Sequence, residues 1–220
     1  MKPMTQTVYI NGKTLVTPGK QPLAVPTQAL AEAIAAEWQA HKKFNPGKMP
    51  LTTLAYTAID RICGHEAQII EALLVYVDTD TLSYRASGSE KLYRQQEAQW
   101  NPILAWAEKK FGAAWETTTG VMPLEQPPSL HKALQTCLQK MNAMQLSAAC
   151  LLASGLSSLA LALAVLEKHV DAAEAFRLSR LEEDAQAEQW GRDPETQQRA
   201  RRLREEVLTA ERFLGLLEGP

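Results

Sequence analysis

The string MNAMQLSAACLLASGLSSLALALAVL, residues 141–166, holds no charged residue between Lys140 and Glu167. It is long enough to span a bilayer, for which about 20 consecutive apolar residues suffice. Its composition argues the other way. Asn142, Gln145, Ser147, Ser154, Ser157 and Ser158 interrupt it, and many of its apolar residues are alanine. Ser154-Gly155 is a place where it divides into two shorter pieces. The reading is a buried core helix or helix pair, and no integral membrane segment.

The chain around this string is helical in pattern. Ser89 is placed to cap a helix over Glu90 to Gln99, and Asn101-Pro102 restarts one with proline at its first position. Pro123 to Pro128 reads as a linker. Ser129 then opens a helix with Leu130, Leu134, Leu138 and Met141 on one face. Asp171 starts a helix that runs from Ala172 to Trp190, and Asp193-Pro194 starts a last one ending near Gly219.

The N-terminal part mixes strands with helices. Val8-Tyr9-Ile10 and Lys13-Thr14-Leu15-Val16 flank Asn11-Gly12, a two-residue hairpin signal, and Pro18-Gly19 turns the chain again. Two strands alone are marginal, so the hairpin must pack on something. Thr27 caps a helix through Leu30, Ile34 and Trp38. Further helices cover Leu51 to Ile62 and Ala67 to Val77. Thr81 to Ala86 alternates like a strand, and Thr117 to Gly120 is a short strand or loop. Ser87-Gly88-Ser89 is the expected boundary. The fold class is therefore α+β: a small alpha+beta domain with a β-hairpin over residues 1–87, then a mainly α-helical domain over residues 88–220.

Bulk composition excludes several functions. A net charge of -2 over 220 residues gives no electrostatic case for nucleic acid. Three cysteines, Cys63, Cys137 and Cys150, never approach a C-x-x-C spacing, which fits a reducing compartment. The four histidines are scattered, and Cys63-Gly64-His65 is too small a cluster for structural zinc. No phosphate-binding or nucleophile-elbow motif is present. No cofactor and no small-molecule substrate are expected. Asp78 and Asp80 are candidate paired carboxylates, though a turn explains them more simply. Met1 to Asn11 has neither an apolar run nor an arginine-rich amphipathic pattern of a targeting segment.

The helix expected over Ala172 to Trp190 carries the more informative pattern. Phe176, Ser179, Glu183, Gln186 and Trp190 recur at spacings of 3 and 4 and share one face. Two large aromatics beside an acid and an amide suit either a bond to a partner or a network tying the helix to its neighbour. The mixed charges from Arg177 to Arg212 read as a solvated, salt-bridged face. Five tryptophans, Trp38, Trp100, Trp106, Trp115 and Trp190, each need burial in the core or by a partner.

Several strings taken together resemble a known family. They are Pro22-Leu23-Ala24-Val25-Pro26-Thr27, Ala36-Glu37-Trp38, Met49-Pro50-Leu51-Thr52, Tyr76-Val77-Asp78-Thr79-Asp80-Thr81 with Tyr84-Arg85, Trp100-Asn101-Pro102, and Ser179-Arg180-Leu181-Glu182-Glu183 with Gln186 and Trp190-Gly191. In this order they resemble the ATP-twelve family, chaperones that assist assembly of the ATP synthase F-one sector. The resemblance implies two domains, binding of the unassembled alpha subunit, its release when beta takes over, and no catalysis. It implies partner-binding roles for Glu183, Glu182, Gln186 and Trp190, and Phe176 joins them as a candidate because it shares a helical face with Glu183, Gln186 and Trp190. Trp38 and Gly191 are either structural or functional. The family's acidic helix position falls on Glu182 or Glu183, with Glu183 preferred because it shares a face with Phe176 and Trp190. It implies a cytoplasmic protein if bacterial, and a matrix protein if a mature mitochondrial form. The competing readings are an enzyme using Glu182 and Glu183, or Asp78 and Asp80, as acid and base, and a membrane-associated factor anchored through Met144 to Leu166.

Overall fold

Val8, Leu23 and Val25 are all buried, and these three side chains fix how the N-terminal strands sit. The structure, a computed structural model, describes residues 6–10, 12–41, 43–120, 122–191 and 193–218. Asn11 of the expected turn, Met1 to Thr5 and Gly219 lie outside the described residues. Strands β1 (Gln6–Thr7), β2 (Tyr9–Ile10), β3 (Lys13–Thr14) and β4 (Ala24–Val25) pair antiparallel, β2 with β3 as the expected hairpin and β1 with β4. Gly12, at φ 74°, supplies the left-handed conformation that the hairpin needs. The hairpin packs as required. Tyr56 donates its hydroxyl to the Val16 carbonyl, and the Asp60 carboxylate accepts from the Gly19 amide at 2.8 Å. A Cβ at Gly19 would lie 2.7 Å from that carboxylate, so glycine is needed there.

Helix α1 (Gln28–Ala40) starts at Thr27, whose hydroxyl accepts from the Leu30 amide. Helix α2 (Pro50–Thr57) has no capping side chain of its own at Met49. Glu37 of α1 caps it instead, accepting from the Leu51 and Thr52 amides at 2.9 Å and the Thr52 hydroxyl at 2.7 Å. A π-helical turn, Ala58–Ile62, extends α2, and α3 (Glu66–Asp78) follows.

The strand expected over Thr81 to Ala86 is a 3-10 turn, Thr81–Ser83, followed by a two-residue strand, β5 (Tyr84–Arg85). Asp80 causes the difference, because its side chain accepts from the Leu82 amide and caps that turn. Helix α4 (Glu90–Phe111) begins at Ser89 as expected but runs unbroken through Pro102. Trp100, Ile103 and Leu104 are buried on either side of the proline, and their packing outweighs the hydrogen bond that it removes. Strand β6 (Thr118–Thr119) pairs parallel with β5. Helix α5 (Pro128–Leu138) buries Leu130, Leu134 and Leu138.

The uncharged string folds as a helix pair, α6 (Ala143–Leu156) and α7 (Leu159–Leu166). The division falls at Ser157 (φ 49°), with Ser158 capping α7, and not at Ser154-Gly155. Gly155 lies inside α6. Helices α8 (Ala172–Ser179), α9 (Leu181–Trp190) and α10 (Pro194–Glu218) complete the chain. A Cβ on Gly155 would come within 2.9 Å of Val207, so the glycine lets α10 close on α6. Nearly all of α7 is buried, and no helix among the described residues is long and apolar enough to cross a membrane.

The N-terminal elements meet the α6–α7 pair at Asp80. Its carboxylate is fully buried, accepting from Leu82 at 3.0 Å and from the Ala160 amide of α7 at 2.9 Å. Thr81 donates its amide and hydroxyl to the Ser157 carbonyl. Asp78 points elsewhere, accepting from the Gln126 amide and lying 3.1 Å from His131. The two aspartates are therefore not a working pair, as the turn reading expects.

Burial pushes the Asp80 carboxyl up from 3.8 to about 6, against the pull of its amide donors. The folded state thus holds this proton more tightly than the unfolded chain. Stabilisation from Asp80 is full below about pH 4 and is lost as pH rises through about 6. The stability of the wild-type protein relative to Asp80→Asn is expected to decline across that window in thermal melts. A difference that stays flat from pH 4 to 7 (roughly the window that linkage sets) excludes the assignment.

Candidate functional site

The helix expected to run from Ala172 to Trp190 is broken at Arg180, which takes φ -106° and ψ 7°. The cause lies far away in sequence. The buried Trp100 indole of α4 donates to the Leu178 carbonyl at 2.9 Å. That carbonyl belongs to the last turn of α8, where helix carbonyls lack an intrahelical partner. The Ser179 hydroxyl turns back onto the Phe176 carbonyl, and α9 restarts when the Asp184 amide donates to the Arg180 carbonyl. Trp100 is itself fixed by the Arg85 guanidinium, 5.0 Å from its ring centroid. Arg85 is buried, donates to the Gln96 carbonyl and to Asn101, and is lowered in pKa by desolvation.

The break bends α9 away from the core. It has no buried residue and lies against α4, where Lys91 approaches Glu188 at 3.8 Å. At its far end Gly191, at φ 89° and ψ 168°, reverses the chain into α10, a conformation strained for any residue with a side chain. Asp193 caps α10 by accepting from the Thr196 amide. Between α8, α9 and the first turns of α10 lies an open cleft of about 700 Å³.

Despite the break, Phe176, Glu183, Gln186, Trp190 and Gly191 all line this cleft. Ser179 does not; it is buried at the break. Trp190 is 79% exposed, whereas Trp100 and Trp115 are buried and Trp38 and Trp106 half-buried. Glu183 is exposed and accepts from Arg180 at 2.8 Å. Glu182 faces an adjoining depression toward Ser157, which Glu183 and Gln186 also line. The geometry thus groups Glu183, rather than Glu182, with Phe176 and Trp190. Trp38 lies apart from the cleft, stacked on Phe44 with ring centroids 6.3 Å apart. Its buried indole nitrogen has no hydrogen-bond partner among the described residues.

The facing wall of the cleft comes from α10 and its cap, through Asp193, Thr196, Arg201 and Arg204 among others. Sequence reasoning missed these side chains by taking the segment as a solvated face. The signal was present in the density of arginines at 199, 201, 202 and 204. The carboxylate with the raised pKa, Asp80, has no access to solvent, while Glu183 and Asp184 in the cleft are exposed.

Comparison with known proteins accords with this architecture. Residues 2–108 match the family described as ATP12 chaperone protein. Atp12 from Paracoccus denitrificans is 39% identical, with a TM-score of 0.91 over 96% of this chain and 91% of that one. An aspartate-to-lysine mutant of the Paracoccus protein matches equally well. The Atu1473 protein of Agrobacterium tumefaciens is 37% identical, with a TM-score of 0.88 over 96% of this chain and 79% of that one. The chain belongs to the ATP12 chaperone family, the ATP-twelve family that its strings resemble, and so to the chaperones of ATP synthase assembly.

Two variants separate the cleft from its support. Trp100→Phe removes the bond to Leu178 and is expected to lower stability by about 1–3 kcal/mol while keeping the helical circular dichroism. Glu183→Lys removes one exposed ion pair and is expected to leave the melt within about 0.5 kcal/mol of wild type. A large loss of stability in Glu183→Lys would return that residue to a structural role.

Proposed function

We propose that the chain holds the unassembled alpha subunit of the ATP synthase F-one sector through the cleft between α9 and α10, and yields it when beta arrives. The observation that carries this reading is Trp190, 79% exposed at a cleft shared with Phe176, Glu183, Gln186 and Gly191. A tryptophan left in water at a concave site is a large apolar surface awaiting a partner, and such residues dominate interface energetics. An alpha subunit without beta exposes its beta-facing surface, and covering such surface prevents aggregation. Release by exchange needs only that the alpha–beta interface be more favourable than the chaperone contact.

In this reading the protein binds and does not catalyse. It uses no cofactor, small-molecule substrate or nucleic acid. Glu183 is the acid of the site, and Glu182 supports it through Gln186, 3.4 Å away. Trp38 shapes the N-terminal core from a distance, and Gly191 sets the turn that opens the cleft. The division into residues 1–87 and 88–220 belongs to the same proposal, with Ser87-Gly88 as the joint before α4. So does a working place in the bacterial cytoplasm or the mitochondrial matrix.

The test is capture by the tagged full chain of separately expressed alpha and beta subunits, without detergent or nucleotide. Alpha is expected to be retained and beta not, with alpha released on adding beta. Glu183→Lys is expected to lose alpha while melting like wild type. Retention of neither subunit, or of both equally, sinks the proposal.

A further inference from the structure

We propose that the part of the client entering this cleft is an acidic segment bearing a large apolar side chain, with its carboxylates on Arg201 and Arg204. This rests on the reading of the cleft as the client site. Arg199, Arg201, Arg202 and Arg204 fall within about one and a half turns of α10 and are all exposed. Among the described residues no carboxylate comes within 4.0 Å of any of them, whereas Lys91, Arg94, Lys110, Lys168, Arg177 and Arg180 each have an acid that close. Arg201 and Arg204 line the cleft itself, and Arg199 lines the adjoining depression. This concentration of positive charge stands on a chain whose net charge is -2.

The acids of the cleft, Glu183, Asp184 and Asp193, offset it only in part. Glu183 is engaged by Arg180, and Glu188 is close to Lys91. Unpaired guanidinium forks are matched to carboxylates, which they take two hydrogen bonds at a time. Arg201 and Arg204 are about 4.5 Å apart along the helix axis, a spacing met by two carboxylates one turn apart on an occupant helix. Phe176 and the Trp190 indole offer the apolar landing beside them. Glu182, Glu183 and Asp184 on α9 repel any anion in proportion to its charge, so a polypeptide segment with two carboxylates and an apolar side chain fits better than a polyphosphate chain or an anionic bilayer.

The experiment uses the full chain and overlapping synthetic peptides tiling the alpha subunit, read by fluorescence anisotropy, with intact alpha as a second probe. The peptides that bind are expected to carry at least two Asp or Glu beside a Leu, Ile or Phe. Arg201→Glu with Arg204→Glu is expected to weaken both probes about tenfold or more, Arg201→Gln with Arg204→Gln less so. Binding to the wild-type chain is expected to fall as salt is raised from about 0.05 to 0.5 M. Melts of these exposed-residue variants confirm folding. If the bound peptides carry no acidic excess, or the charge-reversed chain binds as wild type, the proposal is overturned. If alpha is lost with Trp190→Ala but kept by the charge-reversed chain, the acidic segment alone falls. If Trp190→Ala also keeps alpha, the cleft is not the client site. Tight binding of a mixed-sequence oligonucleotide or phosphatidylglycerol vesicles through Arg201 and Arg204, with alpha unaffected by their reversal, overturns it in favour of a phosphate ligand.

Discussion

The carboxylate of Asp80, fully buried, accepts one hydrogen bond from Leu82 and another from Ala160. Almost the whole of α7 is buried, so the free amides at its first turn must be satisfied from within the protein. Ser158 supplies one acceptor and Asp80, at the head of the 3-10 turn after α3, supplies another. Thr81 closes the junction by holding the Ser157 carbonyl. Through this knot the N-terminal elements orient the α6–α7 pair, and that pair in turn packs against α8 and α10, which frame the cleft.

A second chain of contacts starts nearby and ends at the cleft. Arg85 follows the Asp80 turn, grips Asn101 and faces Trp100, and Trp100 holds the end of α8. The strings that carry the family resemblance therefore divide by role. Glu37, Asp80, Arg85 and Trp100 are occupied by the protein's own backbone and side chains. Glu183, Gln186 and Trp190 face solvent. The first set builds a frame, and the second set is what that frame presents.

Much of the architecture could be read directly because its causes are local. Thr27, Ser89 and Asp171 cap the helices that they precede, since a capping bond spans only three residues. The uncharged string resolves as a buried pair because serines at its middle can cap and turn. The features that were misread have distant causes. Pro102 continues a helix because buried neighbours hold it there. The break at Arg180 follows the bond that joins Leu178 to a tryptophan 78 positions before it. Gly155 looks like a divider but is a contact point for Val207. The grouping of Phe176, Glu183, Gln186 and Trp190 was legible as a helical face, and it survives the break because α8 and α9 still line one cleft. The arginines of α10 were visible as residues, but nothing local says that they stand across from Trp190.

Helix α10 closes the molecule on its beginning. The Thr27 hydroxyl, at the start of α1, donates to the carbonyl of Leu216, 189 positions later, and Phe213 is completely buried. During synthesis the chain emerges from its N-terminus, so α1, α2 and α6 wait with an incomplete face until α10 has been made. Contacts this far apart in sequence form late and slowly, because the intervening chain must be ordered first. One wall of the cleft is the same helix. A ribosome-bound fragment that lacks α10 therefore lacks one wall of the cleft, and the concave site exists only once that helix has been made.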